Sequence, residues 1–168
     1  GKDLLETIQE KGTITVGLSA DFAPYEFHSI EENGKDVIGG FDIDIANEIA
    51  SSLGVKLDIQ EMDFDALVAA LPAGKVDMVI SGMNPTEERA KVIDFSDIYY
   101  TSQNGILVKA GDADKYKTFA ELEGHKVGAQ LGSVQEQIAK SEIKNADFQL
   151  LANVNNLILE LKSGKVDA

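Results

Sequence analysis

Arg89 offers the most specific chemistry in the sequence, because it is the only arginine among fifteen basic residues. A short apolar run at residues 78–80 ends at Ser81 and Gly82, and Pro85 then prevents further strand pairing. Thr86 can cap a following helix, so Arg89 falls in its first turn, where unpaired backbone N–H groups also attract anions. A guanidinium forms two parallel hydrogen bonds with a carboxylate. This segment therefore predicts a site for a carboxylate or a phosphate.

A second interpretation of Arg89 is purely structural. Glu87, Glu88 and Asp94 are close to it in sequence, and most charged side chains on helix surfaces interact with a neighbour or with water. Local spacing alone does not separate a ligand-binding arginine from a surface ion pair.

The loop at residues 19–27 is unusually rich in aromatic side chains. Phe22, Tyr25 and Phe27 surround Pro24. Such a group either packs into the core at the end of a strand or forms one wall of a ligand pocket. The pattern does not distinguish the two.

Catalysis is the weaker functional class for this sequence. An enzyme needs a general acid or base in its cleft, and the nearest carboxylates are Asp21, Glu26 and Asp63. Asp63 is predicted to cap a helix, and we expect Asp21 and Glu26 to be solvated loop charges. No Ser–His–Asp order or glycine-rich phosphate loop is present. The sequence therefore favours a binding protein that is not an enzyme and uses no cofactor.

Composition excludes several kinds of partner. Twenty-nine acidic residues give a net charge of -14, which argues against nucleic acid and anionic membrane surfaces. The chain has no cysteine, which excludes disulfides, thiolate catalysis and cysteine-ligated zinc. His28 and His125 lack any zinc-binding spacing, so we expect both to lie in loops or at strand ends, without a metal.

Alternating helices and strands must position these residues. Strands that alternate with helices favour an α/β sheet with parallel pairing, and such sheets bind ligands beyond the carboxyl ends of their strands. In order, the pattern predicts a helix at Leu4–Lys11, a strand at Thr13–Leu18, a turn at 31–35, a helix at 41–53, a strand at 55–59, a helix at 63–71 and a strand at 76–80.

The second half of the chain repeats the first at an offset of ninety positions. The tetrapeptide GKVD at residues 74–77 aligns with the same tetrapeptide at 164–167, and two pairs of leucines match as well. Residues 126–129 are predicted to form a strand. Capping boxes at 118–121 and 133–136 each open a helix. We therefore expect two lobes of similar plan.

Residues 40–53 carry a resemblance to a known family. Their sequence, GFDIDIANEIASSL, is similar to the signature of the extracellular solute-binding proteins of polar amino-acid ABC transporters, the two-lobed family 3 type. Segments 23–25, 62–65, 84–89, 94–97 and 132–133 resemble that family in order and spacing. The resemblance implies a two-lobed, periplasmic-binding-protein-like fold of type II, with lobe 1 at residues 1–101 and an incomplete lobe 2 at 102–168.

The resemblance also implies how the carboxylate of an amino acid is bound. Arg89 would clamp the α-carboxylate, helped by Ser81, Gly82 and Asn84. From the second lobe, Ser133-Val134 would present a hydroxyl and a backbone N–H to the same carboxylate.

The remaining implied roles concern the side chain of the ligand and lobe closure. Phe22 and Phe64 would hold its aliphatic part, Ser19 would face its side chain, and Gln135 would lie at the rim. Residues 101–103 resemble the first hinge strand, where bending would close the lobes over the ligand.

The implied function is to bind a polar amino acid in an interlobe cleft and to deliver it to an ABC transporter permease. Ser19 stands where relatives that take basic ligands or glutamine often carry an acid, so we expect an uncharged polar ligand. The implied location is extracytoplasmic, either periplasmic or on the cell surface through an upstream lipid anchor. The alternatives are a ligand-sensing receptor module and a dehydratase or murein-cleaving enzyme on the same fold.

The chain ends at Ala168, where the resemblance implies that a further strand of the second lobe begins. In the family that strand brings the aspartate that pairs with the α-ammonium group. We therefore expect these residues to be a fragment, an engineered split or the ordered part of a longer chain. Loss of that bond would cost about 1.5–3 kcal/mol of binding free energy.

Overall fold

Two units, Gly1–Phe95 and Ser96–Ala168, make up the computed structural model, which describes residues 1–168. Each unit has its own parallel strands and its own buried core. The lobe boundary expected at residue 101 lies a few residues inside the second unit, and it stays a proposal.

The first unit is organised around a parallel sheet with the strand order β5-β1-β6. The central strand β1, Thr13–Leu18, pairs along its whole length with β5, Lys56–Glu61, and over two residues with β6, Met78–Val79. The predicted parallel α/β sheet is confirmed. A second, antiparallel sheet consists of β2 at Asp21–Phe22, β3 at Glu26–Ile30 and β4 at Asp36–Gly39.

Four helices belong to this unit: α1 at Leu4–Lys11, α2 at Phe41–Leu53, α3 at Leu67–Ala70 and α4 at Glu87–Ala90. Asp3 forms a capping box with Glu6 at the start of α1, and Gly12 ends the helix, whose bounds are those predicted. Helix α2 has the bounds predicted for it. Its Ala46 and Ala50 are buried against Ile14 and Val16 of β1, with the larger aliphatic residues of α2 packed around them.

Two local predictions differ from the structure. Residues 19–27 are not a plain loop, because β2 and β3 pair within them; this pairing depends on a neighbouring strand rather than on local alternation. Asp63 precedes a 3-10 turn at Phe64–Ala66, and its side chain makes no capping hydrogen bond. The Ala66 N–H instead bonds the Asp63 carbonyl, so the predicted helix divides into this turn and α3.

The second unit contains β7 at Lys126–Gln130 and β8 at Asp147–Leu151, which pair in parallel. Its helices are α5 at Val134–Glu142 and α6 at Val154–Ser163.

Residues 94–109 contain no helix or strand, so the strand expected at 101–103 does not form. A strand requires a hydrogen-bonded neighbour, and no segment of this chain pairs with those residues. No helix in either unit has the length and apolar character needed to cross a lipid bilayer.

The internal repeat corresponds to a shared structure. In the first unit the Asp77 N–H bonds the Thr15 carbonyl at 2.9 Å, and the Thr15 N–H bonds Asp77 Oδ2 at 2.9 Å. In the second unit Asp167 makes the same two bonds with Lys126, at 2.8 and 3.1 Å. The repeated aspartate thus fastens the end of one crossover to the first strand of each unit.

The repeated leucines are equivalent as well. A Cβ added to Gly17 of β1 would lie 3.4 Å from Leu67, and one added to Gly128 of β7 would lie 2.9 Å from Leu157. In both units a leucine therefore packs directly onto a glycine of the strand, which explains why the two residue types recur together.

Replacing Asp77 with alanine is expected to destabilise the first unit by about 1–3 kcal/mol, because the partly buried Thr15 N–H loses its acceptor. Asp77→Asn keeps an oxygen at this position and is expected to cost less than about 1 kcal/mol; the ion pair that it also loses, with exposed Lys11, contributes little. Urea unfolding measures both. Equal losses in the two variants would contradict the role of the acceptor.

Candidate functional site

All ten residues predicted to form the site follow the carboxyl ends of parallel strands. Because β1, β5 and β6 are parallel, the segments after them meet at one edge of the first sheet. Those segments carry Ser19 and Phe22 after β1, Phe64 after β5, and Ser81, Gly82, Asn84 and Arg89 after β6. In the second unit Ser133, Val134 and Gln135 follow β7.

Arg89 is held at this edge by local contacts. Thr86 caps α4 as predicted, its hydroxyl accepting the Arg89 N–H at 3.2 Å. The Arg89 Nη1 donates to the Asn84 carbonyl at 2.7 Å, and the guanidinium lies 5.6 Å from the centre of the Phe64 ring. Burial lowers the pKa of Arg89 from its usual value, but an arginine remains a cation at neutral pH.

The helix that carries Arg89 contributes little to anion binding by itself. Helix α4 is a single turn of four residues, whereas the sequence suggested a helix N-terminus with a useful dipole. The guanidinium itself, held by Asn84 and Phe64, is therefore the group of this segment that could bind an anion. Its half-buried position against Phe64 favours the interpretation of Arg89 as a binding residue.

Aromatic side chains form the accessible surface next to this segment. Phe22 stacks on Tyr25 with ring centres 5.0 Å apart, and Tyr25 meets Phe41 edge to face at 6.2 Å. Gly82 lies against Phe22, since a Cβ added to it would be 3.3 Å from that ring. Phe22 remains 39% exposed. The aromatic residues of the loop therefore form part of a wall at the sheet edge and are not core packing alone.

Beneath this surface lies a second layer of buried polar residues, and it corrects the sequence analysis. Asp21 and Glu26 were expected to be solvated loop charges, which is wrong, since they are 5% and 0% exposed. Asp21 lies in β2 and Glu26 in β3, and local sequence reveals neither the pairing of these strands nor the burial of the two side chains. Asp42 at the start of α2 and Ser81 are also fully buried, and Ser19 is buried with a small exposed fraction.

Hydrogen bonds connect this buried layer to the segment after β6. The Ser81 hydroxyl accepts the Ser19 N–H at 3.0 Å and donates to Glu26 Oε1 at 3.1 Å. The Gly82 N–H donates to Asp42 Oδ2 at 2.7 Å, and the Ser19 hydroxyl donates to Asp21 at 2.7 Å. Ser19, Ser81 and Gly82, which the resemblance placed around the ligand, thus each use a donor inside the protein. Asp21, Glu26 and Asp42 are the buried polar residues of this region that the predicted site did not include.

The three predicted residues of the second unit surround the start of α5. The Ser133 hydroxyl accepts the Glu136 N–H at 3.1 Å, which confirms half of the predicted capping box. Glu136 returns its side chain to the N–H of Gly132, not to that of Ser133. Val134 begins the helix, and the exposed Gln135 donates to Asn104 at 2.7 Å.

The two histidines lie outside this site. His28 lies within β3, not in a loop or at a strand end as expected, and bonds Asp36 at 3.1 Å and Glu61 at 2.7 Å. Glu61 and then Asp36 raise the pKa of His28. His125 lies immediately before β7, as predicted, 3.3 Å from the Tyr116 hydroxyl. No group of three or more His, Asp or Glu side chains is arranged to hold a metal ion.

Comparison with known proteins finds a family model, curated relatives and solved structures that match this chain. The family described as "Bacterial extracellular solute-binding proteins, family 3" matches residues 14–168. The arginine-binding extracellular protein ArtP of Bacillus subtilis is 37% identical over 160 residues, which are 94% of this chain and 60% of that protein. The chain therefore spans about 60% of the length of the curated relatives that it matches.

Two solved structures match with higher coverage. The amino acid ABC transporter substrate-binding protein AbpA of Streptococcus pneumoniae, bound to L-arginine, is 45% identical with a TM-score of 0.93, covering 96% of this chain and 68% of its own. The ancestral amino acid-binding protein AncCDT-1, a precursor of cyclohexadienyl dehydratase, is 41% identical with a TM-score of 0.91, covering 98% of this chain and 72% of its own.

Proposed function

Because the chain belongs to the bacterial extracellular solute-binding proteins of family 3, we propose that it binds an amino acid through the α-carboxylate, with Arg89 as the main anchor. One observation supports this most strongly. The Arg89 guanidinium is fixed by Asn84 and Phe64 at the carboxyl edge of a parallel sheet, beside an exposed aromatic wall. A carboxylate at this edge would pair with the guanidinium while the aromatic rings cover the aliphatic part of the ligand.

The hydrogen bonds of Ser19 favour a ligand whose side chain carries N–H donors. Its hydroxyl proton is directed to Asp21, which leaves only lone pairs for a ligand. Asp21 also adds negative charge behind that hydroxyl. Arginine, which appears in the descriptions of ArtP and of the AbpA structure, has such donors, and so has glutamine. We propose a donor-bearing polar amino acid, and this includes the basic ligands that the residue type of Ser19 argued against.

Binding by the whole protein would use both lobes. Ser133 and Val134 would meet the same carboxylate from a second lobe at residues 102–168, with a hinge near 101–103 and Gln135 at the rim. Exclusion of water on closure would strengthen the pairing with Arg89. Delivery to an ABC transporter permease outside the cytoplasm completes the proposed role.

A catalytic role is not part of this proposal. The acids Glu26 and Asp42 lie beneath the accessible surface, where Ser81 donates to one oxygen of Glu26 and Gly82 to one oxygen of Asp42. A general acid or base must reach the proton that it transfers, and buried carboxyl groups in this arrangement serve the protein itself.

A thermal-shift screen of the twenty amino acids tests the proposed function. A ligand that binds only the folded chain stabilises it by about 2.7 kcal/mol at a hundredfold excess over Kd. We expect melting temperature to rise with L-arginine, L-histidine or L-glutamine, and not with L-aspartate, which carries no donor on its side chain. If no amino acid raises the melting temperature, this chain does not bind amino acids and the proposal fails.

A further inference from the structure

Glu26 stands out among the buried acids because one of its oxygens has no hydrogen-bond donor. Its Oε1 accepts the Ser81 hydroxyl, whereas Oε2 is buried and accepts no hydrogen bond. The side chain has no exposed surface. A buried carboxylate oxygen without a donor costs free energy in the folded state, and an ionised group costs more than a neutral one.

The charges around Glu26 add to this cost. Asp42 faces it from the start of α2 and Asp21 faces it from β2, so both ionisable neighbours are acids; Ser81 contributes an uncharged hydroxyl. Burial, followed by the hydrogen bond and the charge of Asp42, raises the pKa of Glu26 to about 10, and the Ser81 hydrogen bond opposes the change. With a proton on Oε2, Glu26 becomes a donor to Asp42 and the pair carries a single negative charge.

This arrangement connects two separate elements to the segment that carries the site. Glu26 in β3 holds Ser81 by its hydroxyl, and Asp42 in α2 holds Gly82 by its backbone N–H. Two residues after Gly82, the Asn84 carbonyl accepts a hydrogen bond from the Arg89 guanidinium. The buried acids therefore control the position of the backbone that orients the binding arginine.

We propose that Glu26 is a positioning residue for amino-acid binding, which as a neutral carboxylic acid links Ser81 to Asp42 and so holds residues 81–84 in the geometry that Arg89 requires. The effect on binding rests on the proposed function. The hydrogen-bond arrangement itself does not, and it can be measured without a ligand.

The proposal predicts a specific order among variants. Glu26→Gln keeps the same pattern, because its amide N–H donates to Asp42 and its carbonyl accepts from Ser81. We expect its affinity to stay within about threefold of the wild type, and that of Glu26→Ala to fall by about tenfold or more. Rescue by glutamine distinguishes a neutral Glu26, which donates a hydrogen bond, from an ionised one. If Glu26 were ionised, glutamine would put an amide donor where the wild type has an acceptor oxygen, and affinity would fall.

The first experiment follows the glutamate carboxyl carbons of the ¹³C-labelled chain by NMR from about pH 5 to pH 9, without ligand. One carboxyl signal is expected to keep its protonated shift at about pH 8 and to be absent from Glu26→Gln. In Asp42→Asn, the amide can donate to Glu26, so this signal is expected to titrate at a lower pH. Ordinary acidic titration of every glutamate in the wild type would overturn the proposal.

Unfolding supplies a second ligand-free readout with a defined sign. The unfolded chain loses the Glu26 proton above its ordinary pKa, whereas the folded chain keeps it, so the wild type loses stability as pH rises from about 4.5 towards 10. Glu26→Gln is expected to show a smaller loss over the same range. Equal slopes in the two proteins would overturn the proposal.

Calorimetric titration with L-arginine, L-histidine and L-glutamine then measures the effect on binding, with circular dichroism to compare folding. Full affinity in folded Glu26→Ala, or equal losses in the alanine and glutamine variants, would overturn the positioning role. If Glu26→Ala does not fold, the glutamine variant alone decides, since a tenfold loss there contradicts the proposal. If the wild type binds none of the three, the proposed function fails and the binding role with it, while the carboxyl titration still decides the protonation state.

Discussion

Replacing Arg89 with alanine is expected to abolish amino-acid binding while leaving the chain folded. The variant loses the guanidinium that is held over Phe64 and against the Asn84 carbonyl. A charge-assisted hydrogen bond contributes about 1.5–3 kcal/mol, so losing a bidentate pair weakens binding by at least about a hundredfold. The thermal shift that the wild type shows with its ligand should disappear, and calorimetry should give no measurable heat of binding.

Two further variants define the reason for this loss. Lys91→Ala removes an exposed cation just after α4, and it is expected to leave binding unchanged apart from a small, salt-dependent effect. Arg89→Lys keeps the charge but lacks the fork that reaches both carboxylate oxygens, so intermediate affinity is expected. If Arg89→Ala binds as tightly as the Lys91 variant, Arg89 is a surface residue, and the structural interpretation of its charge is correct.

Gly40→Ala is expected to be the most destabilising small substitution in the first unit. Gly40 has a φ of 128°, which alanine rarely adopts, and its added Cβ would collide with the Tyr25 carbonyl group and lie 2.8 Å from the Pro24 carbonyl oxygen. These obstacles are backbone atoms and cannot rotate away. Both carbonyl groups also accept the N–H groups that begin α2, those of Phe41 and Asp42.

The expected loss is about 3 kcal/mol or more in free energy of unfolding, since strain and a backbone collision act together. Gly39→Ala is a matched control, because an added Cβ there meets no atom within 4 Å. We expect that variant to change stability by less than about 1 kcal/mol. Similar urea midpoints for the two variants would show that the turn before α2 relaxes without cost. Asp42 follows this turn directly and accepts the Gly82 N–H beside the binding segment. The Gly40 variant should therefore also lose ligand binding under conditions where it still folds.

The sequence by itself determined the features that depend on neighbouring residues along the chain. Glycine after an apolar face ended α1 and α2, and Thr86 and Ser133 capped the helices predicted for them. Strand periodicity located β1 to the residue. These signals can be read from the sequence because capping and periodicity act within a few positions. The parallel sheet follows from the alternation of helices and strands along the chain.

Only the tertiary structure decided where the polar groups of the site are directed. Asp21 and Glu26 look like loop charges in the sequence, yet both are buried, where Asp21 accepts a hydrogen bond from Ser19 and Glu26 accepts one from Ser81. Burial and then Asp42, sixteen positions away in sequence but adjacent in the fold, raise the pKa of Glu26. Burial and charge interactions are set by distance in space, so local spacing identified the residue types of the site without their hydrogen-bond partners.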